Sequence, residues 1–98
     1  MARFDYYKGT RGKGYLLDCQ SDWLEEFGSR VVVPVMPLAD VKAANRLNPV
    51  FEIDGERHVM STHLIFAIPL ERLGQRVGTL KDEQFAIVSA LDTLLGTY

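Results

Sequence analysis

The sequence predicts an α+β fold in which a strongly bent antiparallel sheet, or partial barrel, is followed by one C-terminal helix. Two observations support this prediction. Five or six short apolar segments separated by turn residues occupy the chain up to residue 69, and they lack helical spacing. Residues 79–98 show the three- and four-residue spacing of a helix instead. With 98 residues, of which 47% are hydrophobic, the chain is expected to form one domain over 1–98.

The first two strands are predicted to form a hairpin. Residues 3–7 alternate polar and apolar side chains, which is the period of a half-buried strand, and residues 15–19 continue as a second strand. Between them, KGTRGKG (8–14) brings three glycines and three cations. This tip is either a solvated turn or a cationic finger that contacts a polyanion or an acidic partner.

Two further apolar runs predict buried strands. Residues 30–36 are mostly β-branched and continuous, which is typical of a strand that is buried on both faces. Pro34 lacks a backbone donor, so a bulge or a sheet edge is expected there. Segment 38–47 is predicted to be a loop or a short helix. Residues 64–69 are predicted to form another buried strand that ends at its proline.

Residues 50–60 give the clearest local signal, that of a second hairpin. Asp54 and Gly55 tolerate the positive φ angles of a type I′ turn. This register places Glu52 opposite Arg57 on one face, where the ion pair would add about 0.2–1 kcal/mol. The other face is expected to carry Phe51, Ile53 and His58.

The C-terminal segment is predicted to be the helix of the fold. Thr79 is expected to be its N-cap, acidic residues occupy its first turn, and Gly96 is expected to end it. The apolar stripe that should face the core consists of Phe85, Val88, Leu91 and Leu95, widened by Ile87 and Leu94.

Charge and composition exclude several classes of protein. A net charge of −2 gives the molecule no basic field for nucleic acid. No apolar run approaches the roughly 20 residues that a transmembrane helix needs, and the N-terminus lacks the apolar core of a signal peptide. The single cysteine, Cys19, cannot form an internal disulfide, which fits a reducing compartment. A cytoplasmic protein without membrane contact is expected.

The residues alone do not predict an enzyme. His58 and His63 are five positions apart, which on a strand directs them to opposite faces, so no metal site is expected. Cys19 is expected to be a buried thiol rather than a nucleophile. Glu25, Glu26 and Asp22 form an acidic cluster around Trp23, but no cleft or partner acid for a hydrolase can be placed. No catalytic residue and no cofactor are therefore predicted.

The order of residues along nearly the whole chain resembles the CcdB family, the toxins of plasmid-addiction modules. LDCQSD (17–22), followed by VVVPV (31–35), is similar to the family's V-D-V-Q-S-D, its Gly-Arg-Arg and its strand with a central proline. The matching residues here are Asp18, Gln20, Ser21, Asp22, Gly28, Arg30 and Pro34. Further matches follow in order at Pro49, Val50, Ile53, Glu56, Met60, Thr62, Pro69, Gly74, Val77, Leu80, Ile87 and Ala90.

The resemblance implies a fold, a mode of action and partners. The fold would be an SH3-like bent sheet with a small accessory sheet and a long C-terminal helix, assembled as a homodimer. Such toxins bind the breakage-reunion subunit of DNA gyrase and trap the enzyme on cleaved DNA. A small antitoxin with a disordered C-terminal segment neutralises the toxin and represses the operon with it, so DNA is contacted only through the complex.

The resemblance also assigns binding residues. The family's two exposed apolar residues after Q-S-D fall on Trp23 and Leu24, and its C-terminal Trp-Gly-Ile falls on the last three residues, so that the aromatic moves from first to last place. The gyrase-binding surface is thus expected to comprise Trp23, Leu24, Asp92, Leu95, Gly96, Thr97 and Tyr98. The antitoxin is expected to contact Lys8, Arg11, Lys13, Trp23 and Glu25.

Two other functions remain open at this point. Messenger-RNA-cleaving toxins of the MazF type resemble the same fold, and the hairpin tip with Arg30, His58 and Thr62 would then handle RNA. The acidic net charge argues against this interpretation. The other alternative is a non-toxic chromosomal relative that only binds the antitoxin.

Overall fold

The computed structural model describes residues 2–9, 12–24, 26–40 and 45–96, and the elements below lie within them. Seven strands precede the α-helix, and short 3₁₀ turns connect several of them. The elements are β1 (Asp5–Lys8), β2 (Tyr15–Asp18), β3 (Ser29–Pro37), β4 (Val50–Ile53), β5 (Glu56–Met60), β6 (Phe66–Pro69), β7 (Arg76–Thr79) and α1 (Gln84–Leu95).

The strands form one antiparallel sheet in the order β4-β5-β3-β2-β1-β7, with β6 as a branch beside β3. β3 is nine residues long and changes partner along one edge. Its first half pairs with β6 and its second half with β5. The sheet curls into a half-barrel, and α1 packs against it. The predicted α+β class, with a bent antiparallel sheet and a C-terminal helix, is confirmed.

Pro34 lies where β3 changes partner. It is neither in a bulge nor on a free edge as predicted, because the register with β2 is continuous and pairs it with Leu16. The Pro34 carbonyl accepts a hydrogen bond from the Ser61 amide at 2.8 Å on the side of β3 that faces away from β2. The N–H that proline lacks would point to the same side, into the gap between β6 and β5. The sheet therefore loses no ladder bond at this proline.

The second hairpin has the predicted register. Asp54 and Gly55 have φ angles of 53° and 76°, as a type I′ turn requires. Glu52 pairs with Arg57, and Phe51 pairs with His58 on the buried face. The local turn chemistry therefore sets this part of the sheet.

Two parts of the sheet differ from the prediction. The strand expected at 64–69 begins at Phe66, and Leu64 lies in a 3₁₀ turn, Thr62–Leu64. Only Ile68 of β6 is buried, because β6 pairs with β3 alone. β7 was not predicted; it is an edge strand with mostly exposed side chains, so it lacks an apolar pattern.

Segment 38–47 was predicted to be a loop or a short helix. Within it, 3₁₀ turns occupy Leu38–Asp40 and Asn45–Leu47, and residues 41–44 lie outside the described part.

The C-terminal helix is confirmed, but its start and its buried face differ from the prediction. Thr79 is not the N-cap of α1: its Oγ1 accepts a hydrogen bond from Lys81 N at 3.2 Å, ahead of a 3₁₀ turn, Lys81–Glu83, and the N-cap of α1 is Glu83, which makes no side-chain capping bond. Gly96 ends the helix in the left-handed conformation, as predicted. No helix in the described residues has the length and hydropathy needed to span a bilayer.

The predicted apolar stripe of α1 is only partly correct. Phe85 and Leu95 are 86% and 71% exposed. Ile87 and Leu91 are buried in the core as predicted, and Val88 packs against it, whereas Ala90 is a buried residue that the stripe did not include. Apolar residues cover a wide arc of this helix, and the position of the sheet decides which part of the arc is buried.

The two faces of the sheet carry different clusters. The main core lies between α1 and the sheet and includes Leu17, Val33 and Met60, all fully buried. A smaller cluster on the opposite face joins β2, β3 and β6 through Leu16, Val32 and Ile68, with Leu73 packed against it. Both faces of the middle of β3 are therefore buried, as the sequence predicts.

Candidate functional site

An exposed tryptophan marks the turn that follows β2. Asp22–Leu24 forms a 3₁₀ turn with no buried residue, and Trp23 within it is 94% exposed. Leu24 and Phe27 are also exposed, at 45% and 61%. An isolated exposed apolar residue is ordinary, but three within five positions form a patch of the kind found at protein interfaces.

A buried ion pair lies beneath this turn. Arg30, on β3, is 1% exposed, and its Nη2 lies 2.7 Å from Oδ2 of the fully buried Asp18 on β2. Arg30 Nε donates a hydrogen bond to the same oxygen at 2.9 Å. Burial raises the pKa of Asp18, while Arg30 and the Gln20 amide lower it in part. The pair occupies the opposite face of the sheet from α1, so it supports the turn without facing the main core.

A groove of about 300 Å³ separates the turn from the C-terminal half of α1. Its walls bring together three of the residues assigned to gyrase binding, namely Leu24, Asp92 and Leu95. Trp23 is adjacent to Leu24 on the turn, and Gly96 follows directly after the helix. Thr97 and Tyr98 lie outside the described residues. Most of the predicted surface within the described chain is therefore contiguous.

The groove also has members that the sequence did not predict. They come from separate parts of the chain and are Arg3, Val31, Ile65, Val88 and Leu91. The backbone amide of Arg3 contacts the turn, where it donates to Asp22 Oδ1 at 2.9 Å. Its Nε donates to the carbonyl of Cys19, which precedes the turn, at 3.3 Å. No local pattern identifies these residues, because only the packing of the N-terminal turn, β3 and α1 makes them neighbours.

Cys19 lies under the groove as an unreactive thiol. It is a free cysteine that is 7% exposed. Burial, followed by the charge of Asp18, raises its pKa to about 12. A nucleophilic cysteine needs a lowered pKa, so the prediction of a buried thiol is confirmed.

The cations of the first hairpin tip lie at the other end of β2. Lys8 and Lys13 are exposed and line a hollow of about 480 Å³, together with Tyr15 and His58. β2 has four residues and so separates this hollow from the Trp23 turn by roughly 13 Å. The residues assigned to antitoxin binding therefore do not form one patch. Arg11 and Glu25, also assigned to that contact, lie outside the described residues.

Of the residues that an endoribonuclease would use, the tip cations Lys8 and Lys13 are exposed, but Arg30, His58 and Thr62 are buried. Arg30 is held by Asp18, and Thr62 is fully buried with no hydrogen-bond partner for its hydroxyl among the described residues. His58 is 4% exposed, with Nδ1 2.9 Å from the Glu56 carbonyl oxygen. The described part of the chain holds no cluster of three or more potential metal ligands.

Comparisons with known proteins give a family and a fold. The family described as "CcdB protein" matches residues 3–96 of the chain. A solved structure described as an endoribonuclease in complex with its cognate antitoxin, from a mycobacterial species, superposes with a TM-score of 0.81. The two chains are 14% identical, and the match covers 100% of this chain and 97% of the other. At this identity the likeness concerns the fold alone. No curated protein sequence matches the chain significantly.

Proposed function

The chain belongs to the CcdB protein family, and on that premise we propose that it is the toxin of a toxin–antitoxin pair and acts by binding and poisoning DNA gyrase. The observation that supports this proposal most strongly is the 94% exposed Trp23 beside the groove of Leu24 and Leu95. Aromatic anchors next to an apolar groove are the usual centre of a protein interface. The partner is the breakage-reunion subunit of gyrase.

The residues of the surface have distinct roles in this proposal. Trp23 and Leu95 provide apolar area that the partner would bury, since a tryptophan can bury up to roughly 250 Å². Asp92, in the groove wall, adds a charge that selects partners by electrostatic complementarity. The family's C-terminal Trp-Gly-Ile is replaced here by Gly96, Thr97 and Tyr98. Trp23 and Tyr98 would together replace the apolar anchor that the C-terminus lacks, so that gyrase binding is retained in an altered form with Leu24 and Leu95.

The proposed mode of action needs no catalysis and no cofactor, because binding alone traps gyrase on cleaved DNA. The chain would act in the cytoplasm, where its buried Cys19 stays reduced. A small antitoxin with a disordered C-terminal segment would neutralise it. Coupled folding suits such a switch, because a disordered partner is readily degraded when free. The antitoxin and toxin together would repress their operon, and the toxin would contact DNA only through that complex.

The antitoxin would use the exposed cations of the first hairpin. Lys8 and Lys13 face solvent and suit an acidic peptide segment. Because the tip and the Trp23 turn lie at opposite ends of β2, an antitoxin that reaches both must span the hairpin.

Titration with an acidic peptide that binds the folded protein should raise the melting temperature by mass action. Reversal of the charges at Lys8, Arg11 and Lys13 without loss of affinity would exclude the tip.

Endoribonuclease activity is the second candidate, because the solved structure with the same fold is described as an endoribonuclease. The burial of Arg30 and Thr62 argues against it here, since an RNA-cleaving site must reach the scissile phosphate. The net charge of −2 also disfavours RNA binding. Incubation of the purified protein with naked RNA separates the two functions: cleavage would support the nuclease, and intact RNA would favour the gyrase poison.

The proposed function is tested by expression and by direct binding. Induced expression of the wild type is expected to stop growth of a bacterial host. The purified protein is expected to bind the purified breakage-reunion subunit. Trp23→Ala should weaken that binding at least about 30-fold, as loss of an interface hot spot does. Phe85→Ala is the matched control, because Phe85 is a similarly exposed aromatic residue that does not line the groove.

The outcomes separate the gyrase poison from the antitoxin-binding relative and test the binding surface. Deletion of Thr97 and Tyr98 tests the C-terminal contribution, and a partial loss of binding is expected. A wild type that is harmless and does not bind the gyrase subunit would leave only the antitoxin-binding relative. A toxic wild type that neither Trp23→Ala nor the deletion relieves would show that the binding surface lies elsewhere.

A further inference from the structure

The Trp23 turn is highly exposed, yet an anchor must be ordered before it binds. No residue of the Asp22–Leu24 turn is buried, so apolar packing contributes little to its order. A loop without buried contacts is normally mobile, and ordering it upon binding reduces affinity. A backbone bond from Leu24 N to the Ser21 carbonyl at 3.0 Å closes the turn but does not attach it to the sheet.

Gln20 makes that attachment with one buried carboxamide. The side chain belongs to a residue that is 7% exposed and lies between the end of the turn and β3. Its Nε2 donates to the Leu24 carbonyl at 2.8 Å, and its Oε1 accepts from the Val31 amide at 3.0 Å. A carboxamide offers a donor and an acceptor at once, so neither an apolar nor an acidic side chain of this length can replace both bonds.

The buried ion pair contacts both Gln20 and Asp22, the first residue of the turn. Asp18 Oδ1 accepts a hydrogen bond from the Gln20 amide at 3.0 Å, while its other oxygen binds Arg30. Arg30 Nη2 also lies 3.7 Å from Asp22 Oδ1, which accepts from the Arg3 amide at 2.9 Å. The turn is thus attached at Asp22 and at Leu24, on either side of Trp23.

We propose that Gln20 is a positioning residue, which holds the Asp22–Leu24 turn against β3 and presents Trp23 in one orientation before a partner arrives. Gln20 itself is 7% exposed and also lines the groove beside the turn, so its effect on the order of Trp23 is read from anisotropy as well as from affinity. The consequence for binding rests on the proposed function, because the surface that Gln20 orders is the surface proposed to bind gyrase. Pre-organisation of this kind raises affinity without adding a contact.

Trp23 is the only tryptophan of the chain, so its fluorescence reports on this turn alone. In the free wild type, the anisotropy decay of Trp23 is expected to follow the tumbling of the whole protein. Gln20→Met should add a fast local component and speed hydrogen exchange at the Val31 amide. It should also weaken binding of the purified gyrase breakage-reunion subunit about tenfold, measured well below the melting temperature. Gln84→Met, at an exposed position of α1, is the matched control and should change none of these.

Two results would overturn the proposal. One is a large, fast anisotropy component in the wild type. The other is a Gln20→Met variant that melts earlier but keeps the anisotropy and affinity of the wild type, which is the signature of a purely structural residue. If Gln20→Met does not fold, the anisotropy decays of the wild type and of Gln20→Glu test the proposal instead. Glutamate keeps the acceptor for the Val31 amide but loses the donor for the Leu24 carbonyl. A wild type that does not bind gyrase refutes the proposed function, whereas the anisotropy still decides the role of Gln20.

Discussion

Within residues 18–30, the exposed aromatic residues lie between two buried charges. Asp18 and Arg30 are withdrawn from solvent and bind one another, while Trp23 between them is 94% exposed. A buried ion pair contributes little net stability compared with an apolar pair, but removing one partner typically costs about 3–5 kcal/mol. The pair is thus better explained by the orientation that it gives to the turn than by the stability of the fold.

At the residue scale, Cys19 predicts a pH dependence. Its folded pKa of about 12 lies above the ordinary 9.0, so the folded state disfavours the thiolate. Its contribution to stability should be complete below pH 9 and should be lost as the pH rises from about 9 to about 12. At pH 8, native Cys19 should react with a thiol reagent about a hundredfold to a thousandfold more slowly than in urea. Equal native and unfolded rates would contradict the burial of the thiol.

The elements of the fold differ in how much their own sequence decides. The β4–β5 hairpin follows from its turn, whereas β3 depends on two different partners for its two halves. Pro34 is tolerated in β3 because its missing donor falls between those partners. α1 has a clear end at Gly96 but an ambiguous apolar arc, and the sheet selects the buried side.

The turn of the second hairpin gives a prediction with a matched control. Gly55 has a φ of 76°, and a Cβ at this position would meet no other atom within 4 Å, so only the backbone conformation opposes a side chain. Gly55→Ala is expected to lower the free energy of unfolding by about 1 kcal/mol in urea denaturation. Gly28 also faces open space but has no positive φ, so Gly28→Ala should be neutral or slightly stabilising. Similar losses for both would place the cost elsewhere.

The buried face of α1 gives a second prediction at this scale. Ile87 is fully buried, and Ile87→Ala should lower the free energy of unfolding by about 2–5 kcal/mol because it leaves a cavity. Phe85, two residues earlier and 86% exposed, should tolerate alanine within about 0.5 kcal/mol. Thermal or urea denaturation measures both losses, and the Phe85 variant separates the observed face from the predicted stripe, which included Phe85 as well as Ile87.

The molecule as a whole has two candidate binding regions, one at each end of the first hairpin. The cationic tip carries Lys8 and Lys13, and the opposite end carries the Trp23 turn and the groove beside α1. Between them, the sheet face that points away from α1 is partly uncovered. Phe66 on β6 is 41% exposed there and lines a hollow of about 400 Å³ with Leu16, Pro34 and Met36.

A homodimer is predicted from the size of the molecule and from this uncovered face. One helix cannot cover both sides of the sheet, so a second copy would bury the remaining apolar area. Light scattering at micromolar concentration should give twice the 11.1 kDa of one chain. Phe66→Glu should increase the monomer fraction, whereas Phe85→Glu, on the exposed side of α1, should not. A wild type that is monomeric throughout would refute the prediction.

The sequence by itself determined the parts of this protein that depend on local chemistry. The Asp54-Gly55 turn, the first hairpin, the helix end at Gly96 and the α+β class all follow from residues close together in the chain. In each case the determining interactions span only a few positions, so a local pattern is enough to find them.

Only the tertiary structure decided which faces are buried and which distant residues meet. It turned Ile87 inward and Phe85 outward, although both are apolar, because the helix can press only one side against the sheet. It placed Arg3 and Ile65 in the groove beside Leu24, although both lie far from that residue in the chain. It also separated the cationic tip from Trp23. Burial depends on what lies opposite a side chain in space, so a wide apolar arc does not show which of its residues is buried, and residues distant in the chain share no pattern that would bring them together.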